Sequence, residues 1–451
     1  MKRRTNRHHS RRVRRVGRRH RFGGRWAIIA VLVVLGLIAM STRVFGTALA
    51  GASIDDVAIP VPMSVPAPAL APELAQAWTE ITGDELRALL EAAVEAHEVP
   101  AMAGAIVTAD RIVSVAHFGH RVAGGDAVVT ADDLWHLGSC TKAMTATLLA
   151  CLIADGVADE PSGAKLAWNL RFDAMLANDL AAASAEIDDA QAKVTLLDLV
   201  RLRGAIPPAP SPAAWMQAWA DHASGEHSAT AQRERFVRRV LADPLGSPGR
   251  HIYSNQSYAI AGLVAERFAG EPYEALMLSR LATPLGITTM GFGAPETSTN
   301  VGRQPRGHDA SGRPIGPDGP TDNPTAIAPA SRVHMSMADW ARFVQAHLRG
   351  RGRGGCDQLG LDAEAFEALH TPPESEGSES VPYAGGWLVR ERAPFGRTLW
   401  HNGSNTMWYA EMWLAPEADV AVLIVGNRGG PAGERAVGEI RDAILKRLGS
   451  E

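Results

Sequence analysis

The sequence predicts an α/β fold: one antiparallel sheet built from both ends of the chain, flanked by helices, with an inserted, mostly helical lobe. Three observations lead there. Strand-like runs occur near residues 103–116 and again from 386 to 425. Residues 157–330, rich in Ala and Pro, contain no clear strand. Amphipathic helical patterns stand outside both strand groups, at Glu85–Ala96 and Gly433–Leu448. Strands at both ends with helices between imply a single sheet closed by distant segments.

The amino terminus is organised differently. Residues 1–50 carry Lys2 and twelve arginines and no Asp or Glu, whereas residues 51–451 hold 32 Lys/Arg against 49 Asp/Glu, a net of −17. Residues 1–25 thus form a strongly basic tail. Trp26 to Thr42 follows without a charge, 17 residues that would span about 26 Å as a helix. Two readings stay open for 26–42. It is either the apolar core of a signal peptide cut after Ala48-Leu49-Ala50, or an uncleaved signal anchor with the basic tail in the cytoplasm. The length of the tail and Arg43 favour the anchor. Residues 43–80 include Pro60, Pro62, Pro66, Pro68 and Pro72, a composition that keeps a chain extended and suits a linker. Either way, the body from 81 to 451 is expected outside the cytoplasm, anchored or secreted. A basic tail beside an apolar run is a topology signal more simply than a nucleic-acid arm, so no nucleic-acid partner is expected.

The body opens with Glu85–Ala96, whose Leu86, Leu89, Leu90 and Val94 recur on one helical face. Ala103–Thr108 and Ile112–Ala116 then read as two strands around Ala109-Asp110-Arg111. A helix starting at Ser139 runs through Leu148, Leu149, Leu152 and Ile153 to Asp155-Gly156. Leu196–Leu202, Glu234–Leu241 and Ser257–Phe268 are helical pieces of the inserted lobe, and residues 205–233, with Pro207-Pro208-Ala209-Pro210 and Gly225, read as a long insertion or lid. Gly386–Arg390, Arg397–Trp400, Trp408–Leu414 and Val420–Val425 read as an antiparallel meander. Cys140, Cys151 and Cys356 form no disulfide framework: Cys140 and Cys151 lie about three turns apart on one helix, too far to bridge.

Chemistry concentrates in three clusters. On a helix Ser139 and Lys142 are three residues apart and share a face, so a hydroxyl and an amine are held together where unpaired N–H groups can meet a developing oxyanion. The pair alone is a weak signal, since Ser162 and Lys165 repeat the spacing in a loop. The second cluster is His251-Ile252-Tyr253-Ser254-Asn255, leading into a helix. The third is Trp400-His401-Asn402-Gly403-Ser404, at a strand end.

In this order the clusters resemble the serine β-lactamase and penicillin-binding-protein superfamily, in particular the class C β-lactamase, D-alanyl-D-alanine carboxypeptidase and esterase branch, with its Ser-x-x-Lys, Tyr-x-Asn and Lys/His-x-Gly motifs. The resemblance runs from about residue 85 to the end, supported by Pro284–Ile287, Ser336–Phe343 and Tyr383–Trp387. It implies a β-lactamase/transpeptidase-like fold, with Ser139 as acylated nucleophile, Lys142 in its proton network and Tyr253 as general base. It further implies Asn255 at the substrate amide, His401 and Gly403 lining the substrate strand, and the N–H groups of Ser139 and Ser404 as oxyanion hole. His401 stands where β-lactamases carry lysine, and an imidazole anchors a carboxylate less well than an ammonium. That departure points towards an esterase or peptidase on a small-molecule or peptidoglycan-type substrate, such as a D-alanyl peptide or small ester.

The alternative is a catalytically idle, membrane-anchored relative that binds peptidoglycan or serves as a scaffold. Retention of Ser139, Lys142 and Tyr253 together weighs against it. No cofactor or metal is called for: His117 and His120 lack a zinc-type ligand pattern, and Ser139 lacks a Gly-x-Ser-x-Gly surround. The oligomeric state is left open.

Overall fold

A computed structural model describes residues 81–159, 163–316, 321–374 and 382–449. The basic tail, the apolar run 26–42 and the linker 43–80 lie outside the described residues. Among the described residues, no helix is long and apolar enough to cross a membrane.

Helix α1 (Gly83–His97) begins at a reciprocal cap, in which Thr82 accepts the Glu85 N–H and the Glu85 carboxylate accepts the Thr82 N–H. Of the predicted face Leu86 and Leu90 are buried and Leu89 and Val94 half-buried against the same cluster, with Ala93 buried beside them. Strands β1 (Ala101–Val107) and β2 (Ile112–Gly119) form the expected hairpin. After the two-residue strand β3 (Trp135–His136), a 3₁₀ turn at Gly138–Cys140 leads into α2 (Thr141–Ala154). Helix α2 is buried on every side from Thr141 to Leu152, which marks it as a core helix.

The inserted lobe contains α3 (Leu196–Val200), α4 (Pro212–Ser224), α5 (Ala229–Leu241) and α6 (Asn255–Ala269). The stretch 205–233, expected as an insertion or lid, is largely helical. Ser211 and Ser228 cap α4 and α5, Pro212 fits the first turn of α4, and Gly225 ends that helix at φ +63°. The lobe also holds one strand that the sequence reading missed, β4 (Gly291–Phe292). It pairs with β5 (Val333–Met335), which pairs in turn with β3. Strands of two or three residues are too short to show a period.

Helices α7 (Met337–Gly352) and α8 (Ala363–His370) precede the meander β6 (Leu388–Arg392), β7 (Gly396–Gly403), β8 (Tyr409–Ala415) and β9 (Val420–Gly426), and α9 (Gly430–Arg447) closes the chain. The six strands lie in the order β2-β1-β9-β8-β7-β6, every neighbour antiparallel. Both chain ends therefore meet in one sheet, as predicted, with β1 paired to β9 (Ala103 opposite Val425).

Side chains alternate across β1 and sort the core by size. Met102 and Ile106 join Leu86, Leu90, Val422, Ile424, Val437 and Ile440 on the face covered by α1 and α9. Ala103, Ala105 and Val107 join the core shared with α2 and the lobe, and on this side α7 packs against β1. Cys140, Cys151 and Cys356 are free and buried.

Within the lobe, Arg233 of α5 is wholly buried against the Glu266 and Glu274 carboxylates, its Nη2 lying 2.6 Å from Glu274. Removing one member of such a group leaves an uncompensated buried charge. Arg233→Ala should lower the unfolding free energy by about 3–5 kcal/mol, measured by urea denaturation. A loss no greater than that of an exposed arginine such as Arg313 would refute this account.

Candidate active site

The site is assembled from three segments. The 3₁₀ turn brings Ser139, the first turn of α2 brings Lys142, and the entry to α6 brings Tyr253 and Asn255. Ser139 does not cap α2, for no side chain caps that helix. Its hydroxyl instead lies 3.1 Å from Lys142 Nζ and hydrogen-bonds to the Tyr253 hydroxyl.

Lys142 is completely buried. Its Nζ donates to Asn255 Oδ1 at 2.7 Å and to the Ala330 carbonyl at 3.0 Å, and it lies 4.7 Å from the centroid of the Tyr253 ring. Among the described residues no carboxylate pairs with it. Burial without an anion favours the neutral amine, so the Lys142 pKa is held well below its ordinary value. A neutral amine has two N–H groups and one lone pair. The Asn255 and Ala330 oxygens take the two N–H groups, and the lone pair is left to the Ser139 hydroxyl. The half-buried Tyr253 moves the other way: burial raises its phenol above the usual value, although the bond with Ser139 opposes the rise.

The capping of α6 separates Asn255 from a purely structural duty. Ser254 is the N-cap, accepting the Ser257 N–H, and its hydroxyl donates to Pro207 O at 2.7 Å. Gln256 Nε2 reaches the same carbonyl at 2.7 Å. Residues 254 and 256 thus fasten the loop, while Asn255 between them turns to Lys142.

The end of β7 lies against the 3₁₀ turn backbone to backbone. A Cβ on Gly403 would fall 2.0 Å from Leu137 O and 2.7 Å from Ser139 N, and one on Gly138, itself at φ +50°, 2.4 Å from Ser404 N. Only glycine fits either place. This contact brings the backbone at Ser139 and the backbone at Ser404 close together.

His401 departs from its expected role at the substrate strand. It is buried, its Nδ1 is bonded to the Asn402 carbonyl, and its Nε2 lies 3.0 Å from the Tyr383 hydroxyl. A carbonyl only accepts, so Nδ1 carries the proton and Nε2 accepts from Tyr383. Burial pulls the His401 pKa down to about 3. The imidazole is neutral and both nitrogens are committed inside the protein, so it offers no charge to a substrate carboxylate.

Sequence reasoning missed several residues that the structure brings here. Ala330 acts through its backbone and left no side-chain signal. Tyr383 lay in the stretch Tyr383–Trp387, noted only as support for the resemblance. His136, Asp322 and Asn405 are joined below the site by hydrogen bonds. Among the described residues no His/Cys/Asp/Glu group is arranged to hold a metal ion.

The Beta-lactamase family model matches residues 86–446. A β-lactamase of Pseudomonas fluorescens is 24% identical over 230 residues, covering 46% of this chain and 62% of that relative, so the chain spans about three fifths of that curated relative's length. Among solved structures, the octameric penicillin-binding protein homologue from Pyrococcus abyssi aligns with a TM-score of 0.61 at 19% identity, over 80% of this chain and 77% of that one. The D-alanine carboxypeptidase AmpC from Burkholderia cenocepacia aligns at 0.59 and 20% identity, over 80% and 99%. At these identities the solved structures attest the fold.

Gly403→Ala should slow labelling of Ser139 by a fluorophosphonate ester by more than about tenfold, the scale of a disturbed oxyanion donor. Intact-mass time courses would measure it, and a parental rate would contradict the close contact drawn here.

Proposed function

Because the chain belongs to the Beta-lactamase family, we propose that it is a serine hydrolase that cleaves an amide or ester carbonyl through an acyl-enzyme on Ser139. The observation that carries this reading is the Ser139 hydroxyl set between a buried amine, which has no carboxylate partner among the described residues, and the Tyr253 hydroxyl.

In this reading Lys142, not Tyr253, is the resting base, because burial leaves the amine neutral and the phenol protonated. Ser139 Oγ attacks the carbonyl carbon as its proton passes to Lys142 Nζ. The oxyanion is stabilised by the Ser139 and Ser404 N–H groups. On collapse the bond to the amine or alcohol breaks, the leaving group takes the Tyr253 proton, and the proton stored on Lys142 replaces it. Water then hydrolyses the ester to Ser139. Asn255, already bonded to Lys142, stands beside the incoming carbonyl compound, and Gly403 lets it approach the strand.

The position of His401 refines the substrate class. With no charge presented at that point, small esters and uncharged amides fit better than a D-alanyl peptide ending in a free carboxylate. The apolar run 26–42 is taken as a signal anchor that holds the enzyme outside the cytoplasm; carbonate-washed membranes should retain the full chain, and a soluble, shortened product would favour cleavage.

The primary test exposes the full chain to a fluorophosphonate ester and maps the adduct. A single adduct on Ser139 is expected, absent in Ser139→Ala and slowed about 10²–10⁴-fold in Tyr253→Phe. The acylation rate should climb with pH until Lys142 is deprotonated, and fall as acid protonates it. A folded sample without adduct would move the assignment to a non-catalytic peptidoglycan-binding or scaffold role. In steady-state assays p-nitrophenyl acetate should turn over faster than diacetyl-Lys-D-Ala-D-Ala; the reverse order would refute the substrate preference.

A further inference from the structure

One buried carboxylate bonds to residues that flank the Ser139 turn, the Ser404 turn and the Ala330 carbonyl. Asp322 is 3% exposed and lies in the irregular stretch before the 328–331 turn. Its carboxylate is met by donors: His136 Nε2 at 3.0 Å, Asn405 Nδ2 at 2.9 Å, the Asn323 N–H at 2.8 Å, and the Arg332 guanidinium, an ion pair at 3.3 Å.

Three of these contacts lead to different parts of the candidate site. His136 Nδ1 accepts the Gly138 N–H at 3.2 Å, so the proton-bearing Nε2 faces Asp322 and the ring braces the turn that carries Ser139. Asn405 Oδ1 accepts the Met407 N–H at 3.1 Å, which holds the turn just after Ser404. Asn323 Nδ2 donates to Ser331 Oγ at 3.0 Å, next to the Ala330 carbonyl that holds Lys142. The dyad resembles the carboxylate–imidazole pair of a serine protease, but its imidazole grips a backbone N–H and not the nucleophile.

We propose that Asp322 is the positioning residue of the oxyanion hole, fixing the Ser139 turn through His136 and the Ser404 turn through Asn405 so that both N–H groups face one point. The proposal rests on the reading of Ser139 as nucleophile and assigns the alignment of its stabilising donors to a residue that never meets substrate. Chemistry makes the role sensitive to one atom. An amide in place of the carboxylate has one acceptor oxygen and two N–H groups, so whichever way it turns, an N–H meets a donor. One turn or the other must then shift.

The experiment follows acylation of the full chain by a fluorophosphonate ester, separating kinact from KI, and titrates phenylboronic acid, which forms an anionic tetrahedral adduct with a nucleophilic serine. Asp322→Asn should lower kinact about 10–100-fold, a fraction of the loss of an oxyanion donor, with KI little changed and boronate affinity falling alongside kinact. Asn405→Ala, which severs one arm and leaves the His136 pair intact, should lose about tenfold in kinact. If Asp322→Asn does not fold, Asn405→Ala decides alone. Folded variants with the parental kinact, or with the loss confined to KI, would overturn the proposal while labelling of the parent leaves the hydrolase reading standing. No labelling of the parent would overturn both.

Discussion

The amine of Lys142 is the point on which three separate segments converge. Its neighbours are Ser139 from the turn before α2, Asn255 from the first residue of α6, and the Ala330 carbonyl from a turn about 190 residues further along. A buried amine without hydrogen-bond partners is expensive, and water is not at hand to supply them. The lobe and the sheet-bound helix must therefore sit where their oxygens reach Nζ. Packing and chemistry impose the same condition here: the contacts that make burial tolerable also leave the lone pair directed at a hydroxyl. The family membership agrees with this arrangement, but the proton assignment follows from burial, donor count and the lack of a paired carboxylate among the described residues.

A second constraint works from the sheet side. The close backbone contact between the Gly138 turn and Gly403 couples residues near the start of the catalytic body to the end of β7. Strand β7 is held by β8, and β8 by β9. The placement of the Ser404 N–H thus inherits the rigidity of a central sheet, while the Lys142 amine and the Tyr253 hydroxyl come from helix ends. Asp322 bonds to Asn405, just after β7, and to His136, which holds the Gly138 N–H of the turn before α2.

Much of this was legible in the sequence, for reasons tied to range. Ser139 with Lys142, and Tyr253 with Asn255, are local pairs whose spacing follows from backbone geometry, and the β1/β2 hairpin and the meander announce themselves by apolar runs and turn residues. Their long-range assembly was inferred only as one sheet from both ends. What stayed hidden depended on partners far away. His401 was placed at the right strand end, but a sequence does not show which ring nitrogens are already occupied, and its expected part in substrate binding was lost to Tyr383 and Asn402. Ala330 contributes a carbonyl that any residue would carry. Asp322 sits in an irregular stretch without period or motif. The helices within 205–233 were missed because Pro-rich stretches and Gly225 dominated the reading, although Ser211-Pro212 and Ser228 are ordinary helix starts.

The pairing of β1 with β9 also governs the order in which the molecule can come into being. Ala103 and Val425 are opposite each other although more than 300 residues separate them. During synthesis the hairpin β1/β2 emerges early and exposes the long edge of β1 until β9 arrives, near the end of translation. Loop closure over that span is slow and an open apolar edge invites wrong pairing. The hydroxyl, amine and phenol can associate earlier through α2 and α6, whereas the Ser404 N–H is fixed only when the final strands lock. Nascent chains therefore can gather the Ser139 hydroxyl, the Lys142 amine and the Tyr253 phenol before the Ser404 backbone is in place, and the full set of groups comes together only with the last fifth of the polypeptide.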